Sequence, residues 1–266
     1  MTQDDLIFFK QWFAGFCSSF HTSDKEDNRN LILKEKHTEK VCANILSIAQ
    51  AESLGRNDTV IAEAVALFHD VGRFPQYAKY KTFRDSVSIN HGELGATVLN
   101  DRGILKRLPV REQEIITTAV KFHNAFRIPD LDDPESIVFL KLVRDADKLD
   151  IWRIFFEYFS EDGTEDKPSA VGLSFPDTPD YSKEVLDQIF NRQLIAIGRL
   201  KTLNDFKLTI LSWVFDLNFR VSLCRAVEDN YIDRVAATLP RTDDIRQAVS
   251  FVHEYIRMKM EGGNDV

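Results

Sequence analysis

In ALFHDVGRF, residues 66–74, a histidine and an aspartate stand side by side where an apolar helix ends: His69 and Asp70. Both residue types ligate metals, so the pair suits a divalent ion. The segment reads as a buried helix, because Val60, Ile61, Ala64, Val65 and Phe68 recur at helical spacing. His69, four residues past Val65, continues that stripe. Burying an ionised carboxylate without a partner is costly, so Asp70 requires a counter-charge. Asn57 or Asp58 is expected to cap the helix and Gly72 to end it.

Three more of the six histidines repeat the pattern. His37 aligns with Val41, Ile45 and Ile48. His91 aligns with Leu94, Gly95 and Val98 behind Asn90 as a cap, and His123 follows Ile115, Ile116, Ala119 and Val120. His253, in FVHEYI, takes a similar inner position far away in the chain, and Asp147 shares an inner stripe with Leu140, Val143 and Ile151. One inward histidine is ordinarily a hydrogen-bonded core residue. Four on successive helices, with carboxylates among them, leave too many unpaired polar groups, and a divalent metal resolves them. A histidine-rich set favours Mn²⁺, Fe²⁺, Zn²⁺, Ni²⁺ or Co²⁺ over Mg²⁺, as one ion or two. Such an ion makes a water acidic enough to react at neutral pH.

The elements that must position these groups are helical. Periodic segments cover roughly 3–20, 31–54, 58–71, 90–101, 111–125, 134–158, 181–200, 204–236 and 242–260, and alternating patterns are essentially missing. The class is therefore all-α. The acid-, Gly- and Pro-rich stretch 160–181 is too long for a routine connection and reads as a boundary or lid. It divides a site-bearing core, 1–159, from a C-terminal helical extension, 160–266, packed on it. GRFPQYAKYKTFRDSVSI, after the His-Asp pair, reads as irregular, and FKLTILSWVFDLNFRVSLCRAV as one long core helix.

The 266 residues are 44% hydrophobic and 29% charged, with a net charge of −8. That excludes a general binder of nucleic-acid polymer while leaving room for a single nucleotide. Cys17, Cys42 and Cys224 show no CxxC spacing, which fits a reducing compartment. The N-terminal run lacks the pattern of a signal peptide, and no apolar run approaches the ~18 residues of a membrane span. A cytoplasmic protein is expected, and a homo-oligomer is left open.

The order His37, then His69-Asp70, then ADKL at 146–149 resembles the HD-domain metal-dependent phosphohydrolases. The resemblance runs from about residue 30 to 155. It implies an HD-domain helical bundle in which His37, His69, Asp70 and Asp147 bind one metal, with Asp145 and Asp150 as rivals to Asp147. His91, in NHGELGA, and His123, in KFHNAF, resemble the extra ligands of two-metal members, where the HD aspartate bridges. That makes Asp70 the catalytic carboxylate. His123-Asn124 stands where the cyclic-di-GMP phosphodiesterases carry a double histidine, and no GYP run is present, so that subgroup is not implied. The implied substrate is a small phosphate ester, foremost a nucleotide. Arg73, Lys148 and Lys121 are its candidate contacts, although each reads equally as a solvated charge. Asp85 and Ser86, before His91, are polar contacts with no assigned mechanism. The same ligand order also resembles HD-fold di-iron oxygenases, and a nucleotide-binding signalling module without turnover is a third reading.

Overall fold

A computed structural model describes residues 1–159 and 175–262 of the chain. Among them the regular structure is helical and no strand occurs, which is the all-α class expected from the periodicity. The described residues form two units, Met1–Asp150 and residues 151–159 with 175–262. Most of the expected boundary or lid, residues 160–174, lies outside the described residues. No helix among the described residues is long and apolar enough to cross a membrane.

The first unit is organised around α3 (Arg56–Phe68), an Ala- and Val-rich helix whose last nine residues bury all but Glu63. Apolar residues on every side mark a helix with neighbours all round. It lies against α1 (Gln3–Ser18), α2 (Lys25–Ala51) and α6 (Val110–Phe122). Phe9 of α1 meets Phe68 edge-on at 5.3 Å between ring centroids. Helix α5 (His91–Asp101) pairs with α6 and also touches α4 (Arg73–Tyr80). Helix α7 (Pro134–Phe159) carries the chain from the first unit into the second.

Two local expectations for α3 are corrected. It starts at Arg56 behind Gly55, not at Asn57 or Asp58, and it closes at Phe68 with His69 as its C-cap. Gly72 has a different task. A Cβ there would lie 2.2 Å from the His91 carbonyl oxygen and 2.7 Å from Gly95 N, so its bare backbone lets α5 approach the His-Asp pair. The stretch read as irregular also contains α4. Pro75 is its third residue, within the first turn where a missing N–H costs nothing.

In the second unit the expected single helix over 204–236 is three: α9 (Leu203–Ser212), α10 (Arg220–Glu228) and α11 (Tyr231–Ala237). After α9 a 3-10 turn, Trp213–Asp216, leads into extended Leu217, and Asn218 donates its side chain to the Asp216 carbonyl at 3.0 Å. That local bond competes with helix continuation, while the apolar pattern runs through it unbroken. Asn230 in the left-handed region makes the second break. The helix expected over 181–200 is likewise shorter. It is α8 (Lys183–Phe190), ended by left-handed Arg192 rather than by a glycine. Asp205 is fully buried and accepts from Ser182 N, Ser182 Oγ and Lys201 N, which ties the starts of α8 and α9 together. Helix α12 (Asp243–Glu261) closes the described chain. His253, expected on its inner face, is exposed and pairs with Asp233 at 2.7 Å. The buried stripe runs through Val252, Tyr255 and Ile256 on either side of it.

Candidate metal centre

Four helices deliver imidazoles to one carboxylate. His69 and His123 occupy matching places: each is the C-cap of its helix, α3 or α6, and each turns Nδ1 onto the carbonyl three residues back. The distances are 2.7 Å to Ala66 O and 2.8 Å to Val120 O. His37 lies within α2, and His91 is the first residue of α5, where the Asn90 side chain caps the helix. These two are held by carboxylates instead. His37 Nδ1 is 2.7 Å from Asp150 Oδ2, and His91 Nδ1 is 2.7 Å from Asp85 Oδ2.

Asp70 stands between them and divides its oxygens. Oδ2 faces His37 Nε2 at 3.6 Å and His69 Nε2 at 3.7 Å. Oδ1 faces His91 Nε2 at 3.3 Å and His123 Nε2 at 3.7 Å. Asp147 Oδ1 joins the first group, 3.0 Å from His37 Nε2 and 3.8 Å from His69 Nε2. Two triads able to hold a metal therefore share Asp70: His37, His69 and Asp70, and Asp70, His91 and His123.

The tautomers decide whether these groups suit cations. Nδ1 of His69, His91 and His123 each faces an oxygen acceptor, so each Nδ1 carries the proton and each Nε2 presents a lone pair. His91 Nε2 and His123 Nε2 are only 3.0 Å apart with Asp70 Oδ1 beside them. Three acceptors sharing no proton repel one another, and a cation among them removes the repulsion. The residues fit a divalent metal in both triads. The carbonyl ends of α3 and α6 point the negative ends of their helices the same way.

Burial chiefly, against partial support from nearby carboxylates, lowers His69 to about 4 and His91 to about 3. Both imidazoles are thus neutral and ligand-competent at pH 7. Burial also opposes protonation of His37, but hydrogen bonds that its ring donates to Asp147 and Asp150 outweigh it and raise this imidazole. Asp70 would be pushed up by burial, yet Lys34, His69 and Arg73 hold it well below the usual carboxylate range.

Among the other expected residues, Arg73 donates Nε to Asp70 Oδ1 at 3.3 Å. Its Nη1 reaches Gln76 Oε1, the Phe83 carbonyl and Asp85 Oδ1 at 3.0, 2.5 and 2.9 Å. Lys148 is buried on α7 with Nζ 3.3 Å from the Arg144 carbonyl. Lys121 is exposed, its Nζ over the Phe122 ring at 5.0 Å. Asp85 is the residue that backs His91. Ser86 lies in the 3-10 turn Asp85–Val87. Of the two rivals to Asp147, Asp150 stands on the far nitrogen of His37, and Asp145 is buried on the same helix.

Sequence reasoning missed Lys34, whose Nζ is 2.8 Å from Asp70 Oδ2. It stands three residues before His37 and so on the same side of α2, a spacing that could have found it. The buried imidazoles lie inside a partly open rim: Asp147 is 18% exposed, Lys34 and Arg73 15% each, and Asp85 30%. Solvent reaches the cluster on that side.

The family model for the HD domain matches residues 35–152, the span that holds all six of these imidazole and carboxylate groups. No curated protein and no solved structure matches the chain. Residues 35–152, a little under half of the chain, thus match the HD domain, the domain of a superfamily of metal-dependent phosphohydrolases.

Proposed function

We propose that the chain is a binuclear phosphohydrolase acting on a small phosphate ester, foremost a nucleotide. The observation that carries this reading is the division of Asp70 between two sets of inward imidazole lone pairs. His37, His69, Asp147 and Asp70 Oδ2 would hold one ion, and His91, His123 and Asp70 Oδ1 the other. When bound, such ions supply an acidified water and positive charge for phosphoryl oxygens.

The chain's own groups do the remainder. Asp150, Asp85 and the carbonyls of Ala66 and Val120 orient the four rings. Asp70 fixes the spacing between the two sets. Lys34 and Arg73 stand at the open rim, where cations are placed to meet phosphate oxygens, and the first set carries one more carboxylate than the second. The second set therefore leaves more room for a substrate. The net charge of −8 suits a small diffusing anion held by local cations better than a long polyanion.

The test is a panel of nucleoside mono-, di- and triphosphates given to protein loaded with Mn²⁺. Release of phosphate or nucleoside is expected, and Asp70→Ala abolishes it. Absence of any release, together with oxygen uptake by the Fe²⁺-loaded protein, would overturn the reading in favour of an oxygenase.

A further inference from the structure

Resting on the two-ion reading above, we infer that Asp85 and Arg73 are positioning residues that create the second metal position through His91. Four groups close a ring: Asp70 Oδ1 to Arg73 Nε at 3.3 Å, Arg73 Nη1 to Asp85 Oδ1 at 2.9 Å, Asp85 Oδ2 to His91 Nδ1 at 2.7 Å, and His91 Nε2 back to Asp70 Oδ1 at 3.3 Å. The ring joins the shared ligand to the one imidazole of the four in the cluster that no backbone carbonyl or buried carboxylate fixes. The Asp85 carboxylate also accepts from Gln76 Nε2 at 2.8 Å and Asn124 Nδ2 at 3.0 Å, so it is pinned from α4 and from the residue after His123.

The segment bearing Asp85 is itself held from α4. Fully buried Gln76 donates to Ser88 Oγ and to the Ile89 carbonyl, both at 2.9 Å, besides Asp85. Arg73 takes the Phe83 carbonyl. Arg73 and Gln76, three residues apart and so on one side of α4, thus fasten residues 83, 85, 88 and 89. Without that fastening His91 keeps its place at the head of α5 but loses the acceptor that sets its ring and tautomer. The first position has no such dependence, because Asp150 and Ala66 O orient its imidazoles from within long helices.

The experiment titrates metal-free full-length protein with Mn²⁺, following stoichiometry by calorimetry and the exchange-coupled pair by electron paramagnetic resonance. Wild type takes two equivalents and shows the coupled signal. Asp85→Asn is isosteric, but its amide cannot serve both Arg73 and His91 as acceptor. It is expected to weaken the second equivalent by about 10- to 100-fold, to erase the coupled signal, and to leave the first equivalent within about twofold. Asp85→Glu should restore part of the signal, which a purely structural role would not do. Equal weakening of both equivalents, or an unchanged second one, overturns the assignment of Asp85. A wild type that takes only one ion overturns the two-ion reading itself. Arg73→Lys, which keeps the charge by Asp70 but not the reach to Asp85, repeats the test should Asp85→Asn fail to fold.

Discussion

The two halves of the centre contain similar groups on different supports. In the first half, His37 is backed by Asp150, a carboxylate with 1% of its side chain exposed on a 26-residue helix. In the second, His91 is backed by Asp85, 30% exposed and set in a short 3-10 turn. His69 and His123, the carbonyl-held members, are nearly interchangeable. The lesson is that a ligand's orientation is only as durable as the group behind it. The first half inherits its geometry from the core, and the second from a clamp of side chains at the rim.

The severest way to break the comparison removes what the halves share. Asp70→Ala should leave neither triad able to hold an ion, so metal content by elemental analysis falls to the background of apoprotein. Turnover of a phosphate ester should drop by roughly 10³-fold or more, which is the loss of about 4 kcal/mol of charge stabilisation. Added Mn²⁺ should also cease to raise the melting temperature, because binding to the folded state is what supplies that gain.

Single imidazoles separate the halves. His37→Ala withdraws a ligand of the first set and removes one hydrogen bond from a carboxylate, Asp150, that is buried rather than at the rim, at a cost of about 1–3 kcal/mol in metal-free stability. His91→Ala leaves Asp85 with Arg73, Gln76 and Asn124, so the corresponding loss should stay near about 0.5–1.5 kcal/mol. Denaturant melts of the two metal-free variants decide it, and equal losses would erase the distinction drawn between the supports. Gly72→Ala comes next. The new Cβ meets backbone atoms of His91 and Gly95, which cannot swing aside as a side chain would. Destabilisation of about 1–3 kcal/mol is expected, with the second metal equivalent weakened more than the first.

Acid distinguishes them more gently. In the metal-free protein His69 and His91 stay neutral down to about 4 and about 3, held there chiefly by burial. The unfolded chain takes up both protons near the ordinary value of about 6.5. It therefore binds more protons than the folded chain throughout that window, and stability falls as pH drops from about 6.5 toward 3. His37 has the opposite sign. Raised in the fold, it contributes stability present below about 6.5 and lost as pH rises through its folded value. His91→Gln should flatten the acid loss below about 6.5, whereas His37→Gln should leave that limb unchanged and remove the loss that sets in as pH rises above about 6.5, as read from melts across pH 3.5–9. Parallel shifts in the two variants would contradict these signs.

What was legible in advance follows the same division. Helical periodicity places His37, His69, His91 and His123 inside, and their burial agrees. Periodicity reports only which side of a helix is apolar, so it placed His253 inward when the buried stripe passes on both sides of it. It is silent about Asp85, which lies on no long helix and acquires its role only when α4 and α5 meet. It is equally silent at Asp216–Phe219, where a side-chain bond ends a helix that the apolar pattern would continue. Lys34, in LKEKHTEK, looks like one more solvated charge on an exposed face. Contacts made across elements are set by tertiary approach, and a one-dimensional pattern records only half of each.

Lys34 offers the smallest and most selective change. Its ammonium donates to Asp70 Oδ2 at 2.8 Å, on the oxygen that faces the first half, while its Nζ also lies 5.3 Å from the Phe83 ring centroid. An arriving divalent ion meets a like charge there. The lysine is 15% exposed on a flexible stem, so it can turn toward solvent rather than oppose the ion at full strength. Lys34→Gln should therefore tighten the first equivalent only by about three- to tenfold and leave the second unchanged, since Oδ1 is served by Arg73 instead. The gain should shrink at high salt, because a partly exposed charge is screened. The same substitution should lower the stability of metal-free protein, where Lys34 is one of the cations balancing buried Asp70. Calorimetric titration at two ionic strengths checks both directions, and looser binding of the first equivalent would show that Lys34 supports the ion instead of competing with it.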